Sequence, residues 1–476
     1  MRHRHLPYRS NMKLRTAQGI LLIVALAGTV SARCQEQTLV LRGGNLFDAV
    51  ADEARPNHML TMRGGRFVGT DRVLSEEELE QATVIELTDE HWILPGFFDL
   101  HAHYAIDLFG KGRVDEMAAY PLLFLANGVT STFPAGEMNP DGMRELRLRL
   151  NSGKAIGPRL FNSGPYFGRW RKGWNNSITA DELRAEVDHW AAQGVTGFKA
   201  KSISPKHLRV LVDRAHAHGL TVTGHVDSGY RGSVNPRDAI EMGIDRIEHF
   251  MGGDAMPATQ SAYASLVSIK PEGPEFERIC DLFIERGVYF DATMSAFGYF
   301  GERDPEVFTP WIDERSFLTP YMRALIEERP PRPPMATFEA IYWAKRDLLL
   351  GFYERGGGPW ITVGTDHPSW GDYLPSFGYH RELHCLRLAG LPVSAVLKAA
   401  TINGARALGL GDRLGTIEAG KLADCVVVKG DPWEDIQNTH RCHLVVKAGQ
   451  LFQIEKLLEQ ARGRIGPLTE EDLNSW

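Results

Sequence analysis

Cysteine is scarce in this chain: five residues, Cys34, Cys280, Cys385, Cys425 and Cys442, with no CxxC spacing among them. That excludes a disulfide framework and a zinc–thiolate site, and leaves open a single bridge in an oxidising compartment. There is also no long basic run and no acidic tail, and the formal net charge is only -7 over 476 residues. This argues against nucleic acid as a partner. The one continuous apolar run, Gly19 to Val30 (GILLIVALAGTV), is too short to span a bilayer comfortably as a mature helix. What remains is 43% hydrophobic and 24% charged, the balance of an ordinary globular chain long enough for more than one domain.

The amino terminus is read as an export signal. Arg2, His3, Arg4 and Arg9 precede Met12, a second start, and Lys13 and Arg15 follow it. The apolar run comes next, then Val30-Ser31-Ala32, a small-residue cleavage site. Basic, apolar and small-residue regions in that order mark a secretory leader rather than a buried helix. Arg33 makes Cys34 a poor lipid-attachment site. We expect the leader over residues 1–34, removed on export to the periplasm or medium.

Strand-rich texture brackets the chain. Thr38 to Arg42 and Phe67 to Gly69 are strands separated by turns such as Arg63-Gly64-Gly65-Arg66. Asp424 to Lys429 and His443 to Lys447 repeat the texture near the other end. The two flanks are expected to pair into one small β-sandwich, from residues 35–92 and 411–455, with a tail at 456–476. Between them, residues 93–410 alternate short apolar strands with amphipathic helices, for instance Ala180 to Gln193 and Pro205 to His218. Strands end at Leu100-His101, Thr130-Phe133, Leu160-Asn162, Phe198-Lys199, Val222-His225, Ile247-His249, Phe290-Thr293 and Thr362-Asp366. This α/β succession favours a (β/α)8 TIM barrel over a doubly wound sheet. Ser295 to Pro334, with Arg329-Pro330-Pro331-Arg332-Pro333-Pro334, is expected as a rigid loop at the barrel mouth. It and the loop after His249 are candidate lids.

Leu94-Pro95-Gly96-Phe97-Phe98-Asp99-Leu100-His101-Ala102-His103 is the sharpest local signal. His101 and His103 are two apart on a strand, so both imidazoles point to one side and form half of a metal site. The alternative is a solvated polar pair. His216-Ala217-His218 has the same spacing at a helix end, where it does not share a face, and is rejected as a ligand pair. Strands ending in His225, His249 and Asp366 bring further ligand types to the same mouth of a barrel.

Taken with Ala399-Ala400-Thr401-Ile402-Asn403-Gly404-Ala405-Arg406 and Leu414-Gly415-Thr416-Ile417-Glu418-Ala419-Gly420-Lys421-Leu422-Ala423-Asp424, this pattern resembles the amidohydrolase superfamily over roughly residues 38–455. The likeness is to imidazolonepropionase-like and prolidase-like members. It implies a divalent-metal hydrolase with His101, His103, Lys199, His225, His249 and Asp366 as ligands, and two zinc ions bridged by carboxylated Lys199. Lys201 lies on the same face of Gly197-Phe198-Lys199-Ala200-Lys201, so periodicity leaves both lysines open, and an unmodified lysine would imply one metal. Asp366 is then the proton carrier between attacking water and leaving nitrogen.

Tyr230 and Arg169 are the candidate substrate-binding residues, for a carbonyl oxygen and a carboxylate. His367 is left outside the metal shell, and Trp370, Tyr379 and His380 are weaker pocket candidates. The reaction expected is hydrolysis of an amide or peptide-like C–N bond in a dipeptide or N-acyl amino acid. Lactone or cyclic-amide opening comes next, then ring deamination. A non-catalytic binding barrel is the rival class, but such relatives lose ligands that are present here. The partner is a small molecule, with no nucleic acid, no membrane after leader removal, and room for a homo-oligomer.

Overall fold

The computed structural model describes residues 37–70, 74–108, 112–226, 233–249, 251, 266–301, 304–329, 333–367, 373–474 and 476. The expected leader, residues 1–34, lies outside them, as do most of the segment after His249 and positions 330–332 of the Pro-rich run.

Parallel strands form two arcs. Phe97–Ala102, Val129–Pro134 and Arg159–Leu160 make the first, with Val129–Pro134 in the middle. Tyr166–Phe167, Gly197–Lys201, Thr221–His225, Arg246–Glu248, Tyr289–Asp291 and Ile361–Thr362 make the second, in chain order. At one junction Leu100 N–H donates to the Val363 carbonyl (2.9 Å) and Asp366 N–H to that of His101 (3.0 Å). At the other, Thr196 N–H donates to Asn162 (2.8 Å). The result is a barrel-like α/β fold. The third strand differs from expectation: it stops at Leu160, and Tyr166–Phe167 resumes on the neighbouring arc. Asn162 and Ser163, in the gap, donate instead to the Glu137 carboxylate.

Helices cover the outside for local reasons. Thr179 and Glu182 form a capping box at Ala180–Ala192. Ser204 caps Pro205–Ala217, with proline in the first turn, and Leu208, Leu211, Val212 and Ala215 face the strands. The Ser295–Pro334 stretch is not a plain loop: Met294–Phe300, Pro305–Phe308 and Pro320–Glu327 are helical. Its prolines Pro305 and Pro320 sit at helix starts, where a missing N–H costs nothing, so they open helices rather than exclude them. Among the described residues no helix is long and apolar enough to cross a membrane, and the four described cysteines are free.

The flanks make the extra domain. His91–Pro95 pairs antiparallel with Cys425–Lys429, so one sheet draws strands from both ends of the sequence. It packs on the sheet of Thr38–Arg42, Met59–Arg63, Arg66–Gly69 and Thr83–Glu86 through Leu41, Leu60, Met62, Ile93, Val427 and Val446. The Arg159 guanidinium grips the Asp424 carboxylate through two bonds of 2.9 and 3.1 Å, tying this domain to the third strand. Asn403 donates to the carbonyls of Gly358 (3.0 Å) and Ile361 (2.8 Å), steadying the start of the last strand.

Candidate metal centre and its cavity

The barrel interior below the site is cross-braced by a cation. Arg246 donates to the Leu100 carbonyl (2.8 Å), ion-pairs with Asp291 (2.8 Å) and lies over the Phe133 ring (5.0 Å). Asp99 accepts from the backbone N–H groups of His101 (3.0 Å) and Thr365 (3.1 Å), and from the Thr365 hydroxyl (2.8 Å). One carboxylate thus sets the first and last strands against each other. Gly364 allows their close approach, since a Cβ there would fall 2.6 Å from that of His101.

The structure brings His101, His103, Lys199, His225, His249 and Asp366 to one mouth. Asp366 Oδ1 is 3.2 Å from His101 Nε2 and 2.8 Å from His103 Nε2, and Oδ2 is 3.7 Å from His249 Nε2. Ring centroids of His101 and His249 are 5.0 Å apart, and those of His225 and His249 4.6 Å. Two residues sit in left-handed backbone, His249 (φ 67°) and Asp366 (φ 44°). Such conformations are uncommon without glycine and cluster at functional sites. They turn both side chains inward past the point where their strands stop.

Sequence reasoning missed Glu248. Alternation puts adjacent strand residues on opposite faces, so a strand that turns His249 inward would turn Glu248 outward. The strand ends at Glu248, and the left-handed turn at His249 lets both point in. Glu248 is fully buried, accepts from the Thr223 hydroxyl (2.9 Å), and forms a close ion pair with Lys199. This pair also separates the two lysines that periodicity left equivalent. Lys199 faces Glu248 at the base of the histidines, whereas Lys201, one step nearer the mouth, has its ammonium 4.1 Å above the Trp170 ring. Thr293, likewise unforeseen, has its hydroxyl 2.7 Å from His249 Nδ1 and orients that ring.

The electrostatics suit a cation. Burial lowers the pKa of His101 to about 4, pushes those of His225 and His249 well below the usual imidazole value, and lowers that of His103 less. Neutral imidazoles are the ligand form. Burial alone would raise Asp366, but the surrounding imidazoles, with hydrogen bonds from His101 and His103, hold its carboxyl well below the usual carboxylate range. Lys199 is lowered, by burial first, against the pull of Glu248. Burial also takes Lys201 down to about 8, opposed by Asp366 and reinforced by Lys199 and Arg113.

His101 Nδ1 is buried with no hydrogen-bond partner, and the donor atoms of two overlapping trios lie close enough to share an ion: His101–Glu248–His249 and His101–His103–Asp366. Imidazole nitrogens with carboxylate oxygens are the donor set of zinc and similar divalent ions. The residues present fit such an ion.

A cavity of about 240 Å³ opens beside Asp366 and His103, bordered among the described residues by Arg113, Trp170, Lys201, Phe297, Phe300 and Phe338. Arg169 does not reach it. Gly168 (φ 131°) turns the chain so that Arg169 is exposed and donates to Asn176 (3.1 Å), while Trp170 meets Lys201. Tyr379 and His380 are not pocket residues either. Tyr379 bonds the Phe98 and Ala400 carbonyls and His380 meets Thr439, in the packing behind the strands. Tyr230 and Trp370 lie outside the described residues. His216 and His218 pair with Asp245 and Asp188 on the outer surface.

With this geometry in view, a sequence model of the amidohydrolase family matches residues 92–302 and 344–452. The chain belongs to the amidohydrolase family, hydrolases of carbon–nitrogen bonds that generally use a divalent metal. It is similar to 5-methylthioadenosine/S-adenosylhomocysteine deaminase of Desulforudis audaxviator (46% identical over 61 residues, 13% of this chain and 14% of that protein). It is also similar to imidazolonepropionase of Shouchella clausii (32% over 116 residues, 24% of this chain and 26% of that protein). Both matches leave most of the relative uncovered. The structure of a Xaa-Pro dipeptidase with bound methionine in the active site is similar over 87% of this chain and 100% of that one, with a TM-score of 0.65 and 22% identity. At that identity the likeness is one of fold.

Proposed function

We propose that this chain is an exported, metal-dependent amidohydrolase with a closed (β/α)8 barrel. Its substrate is a small molecule with an amide or peptide-like C–N bond, a dipeptide or N-acyl amino acid. The observation that carries the reading is the convergence of His101, His103 and His249 on Asp366, with His225 packed against His249, beside a small cavity. His101, His103, His225, His249, Asp366 and Lys199 would hold two zinc ions, with Lys199 carboxylated as the bridge. When bound, a divalent cation lowers the pKa of water and polarises a carbonyl. The chain's own work is proton traffic and positioning. Asp366 is ionised and in contact with the cavity, so it accepts the proton of the attacking water and returns one to the leaving nitrogen. Thr293 holds His249 by its far ring nitrogen, and Asp99 fixes the strand carrying His101.

One observation favours a second reading. Lys199 as an ammonium is charge-matched by Glu248. If that pair persists, the site holds one cation and ring deamination moves ahead, in line with the local similarity to a deaminase. Metal content per chain, in protein purified without chelators, separates the two when combined with a panel of dipeptides, N-acyl amino acids and amino-substituted heterocycles. About two metals with amide hydrolysis supports the first reading. One metal with ammonia release from the heterocycles supports the second, and no turnover of any panel member overturns both.

A further inference from the structure

Two unlike walls flank the catalytic aspartate. Arg113 and Trp170, from segments following the first and third strands, and Lys201, at the end of the fourth, form one side. Phe297, Phe300 and Phe338 follow the seventh strand and form the other. In an eight-stranded barrel the third and fourth strands lie across the mouth from the seventh.

Lys201 has no ion-pair partner among the described residues, and its ammonium is held over the Trp170 ring. The aromatic wall is a continuous stack. Phe297 and Phe338 are parallel at 5.6 Å and 28°, Phe300 meets Phe338 at 5.1 Å, and Phe297 comes within 6.0 Å of the His249 ring. Cavities with one apolar wall and a few convergent polar groups bind small molecules in a fixed orientation. Asp366 is the one carboxylate bordering the cavity among the described residues, and it is already engaged by His101 and His103.

Resting on the amidohydrolase reading above, we infer that the preferred substrate is an N-acyl amino acid with a flat or bulky apolar acyl group, rather than a dipeptide. Its carboxylate meets Lys201 and Arg113, its acyl group lies on Phe297, Phe300 and Phe338, and its amide crosses Asp366. A dipeptide would place an α-ammonium on the acyl side, where among the described residues no uncommitted carboxylate borders the cavity to offset its desolvation. In the reaction the acyl C–N bond breaks and the water oxygen bonds to the acyl carbon. One water proton ends on nitrogen, giving a carboxylic acid and a free amino acid.

The test compares four compounds on the metal-loaded enzyme: N-phenylacetylglycine, its C-terminal amide, N-acetylglycine, and phenylglycylglycine, which adds only the α-ammonium. N-phenylacetylglycine is expected to exceed each of the others at least about tenfold in kcat/KM, the scale of a lost charged or apolar contact. In Lys201→Met the acid-to-amide ratio is expected to collapse towards one. Arg113→Gln, at an exposed site, should reduce the same ratio if the lysine variant does not fold. Equal rates on acid and amide, or preference for phenylglycylglycine, overturn the inference while leaving an amidohydrolase.

Calorimetric binding of the ketone analogue, with CH2 in place of the amide NH, separates the two failures. Tight binding that weakens when its carboxylate is amidated supports the inference even if no amide is turned over. Equal binding of both forms overturns it.

Discussion

The Lys199 ammonium and the Glu248 carboxylate face each other at the base of the histidine cluster, both buried. Each neutralises a charge that the interior would otherwise leave uncompensated. Lys199→Met in metal-free protein is therefore expected to cost about 3–5 kcal/mol in urea unfolding. The double variant Lys199→Met, Glu248→Met should regain most of that loss. A single variant as stable as the wild type would show that the pair is not formed in solution. Labelled bicarbonate exchanged into metal-loaded protein reports by NMR whether Lys199 becomes a carbamate.

Thr293 holds His249 by a 2.7 Å bond to Nδ1, leaving Nε2 facing Asp366. Thr293→Val removes the hydroxyl at nearly constant shape and is expected to weaken metal affinity about 10–100-fold, the usual effect of losing a ligand's outer partner. Thr293→Ser keeps the hydroxyl and should stay near wild type. Competition with a chromogenic chelator reads both values.

Asp366→Asn keeps the size of the side chain and removes the proton acceptor. The expected result is a fall in kcat of about 10²–10⁴, the range for a positioned general acid–base group. Metal content should fall less steeply, since His101, His103, His225 and His249 remain. Loss of all metal with Asp366→Asn would show that its part in holding the ions, rather than proton transfer, accounts for the fall.

Glu137 is buried, accepts from Asn162 (2.7 Å) and from Ser163 N–H (3.1 Å), and has its pKa raised by burial to about 8. A carboxyl raised on folding binds more protons in the native state than in the unfolded chain. Its contribution is complete below the ordinary carboxylate pKa and is lost as pH rises towards 8. Unfolding free energy should fall across this window by at most about 1.4 kcal/mol per pH unit from this group. Glu137→Gln keeps an acceptor for both donors and should flatten the profile between pH 5 and pH 8. An unchanged slope in urea titrations would remove Glu137 as its source.

The broad architecture was legible because strands and helices carry different periods. The candidate ligands on strand ends were legible because chemistry-bearing residues recur where each apolar run stops. What alternation left equivalent, it could not separate. Lys199 and Lys201 share a face by period, and only the neighbouring Glu248 and Trp170 give them different surroundings. Arg169 was read towards the cavity because cations near a strand end suit carboxylates. Gly168 turns the chain there, and a backbone turn has no signature in side-chain chemistry.

The sequence by itself determined which residue types stand at which strand ends: His101 and His103 two apart, His225, His249 and Asp366 each closing an apolar run. Those are local properties, set by the two-residue repeat of a strand. The tertiary structure alone decided that Glu248 turns in beside His249, that Thr293 steadies that ring, and that cationic and aromatic side chains border one cavity with Asp366. Each of these depends on left-handed backbone at a strand's end or on segments far apart in the chain meeting at one mouth. Neither is fixed by a residue's immediate neighbours.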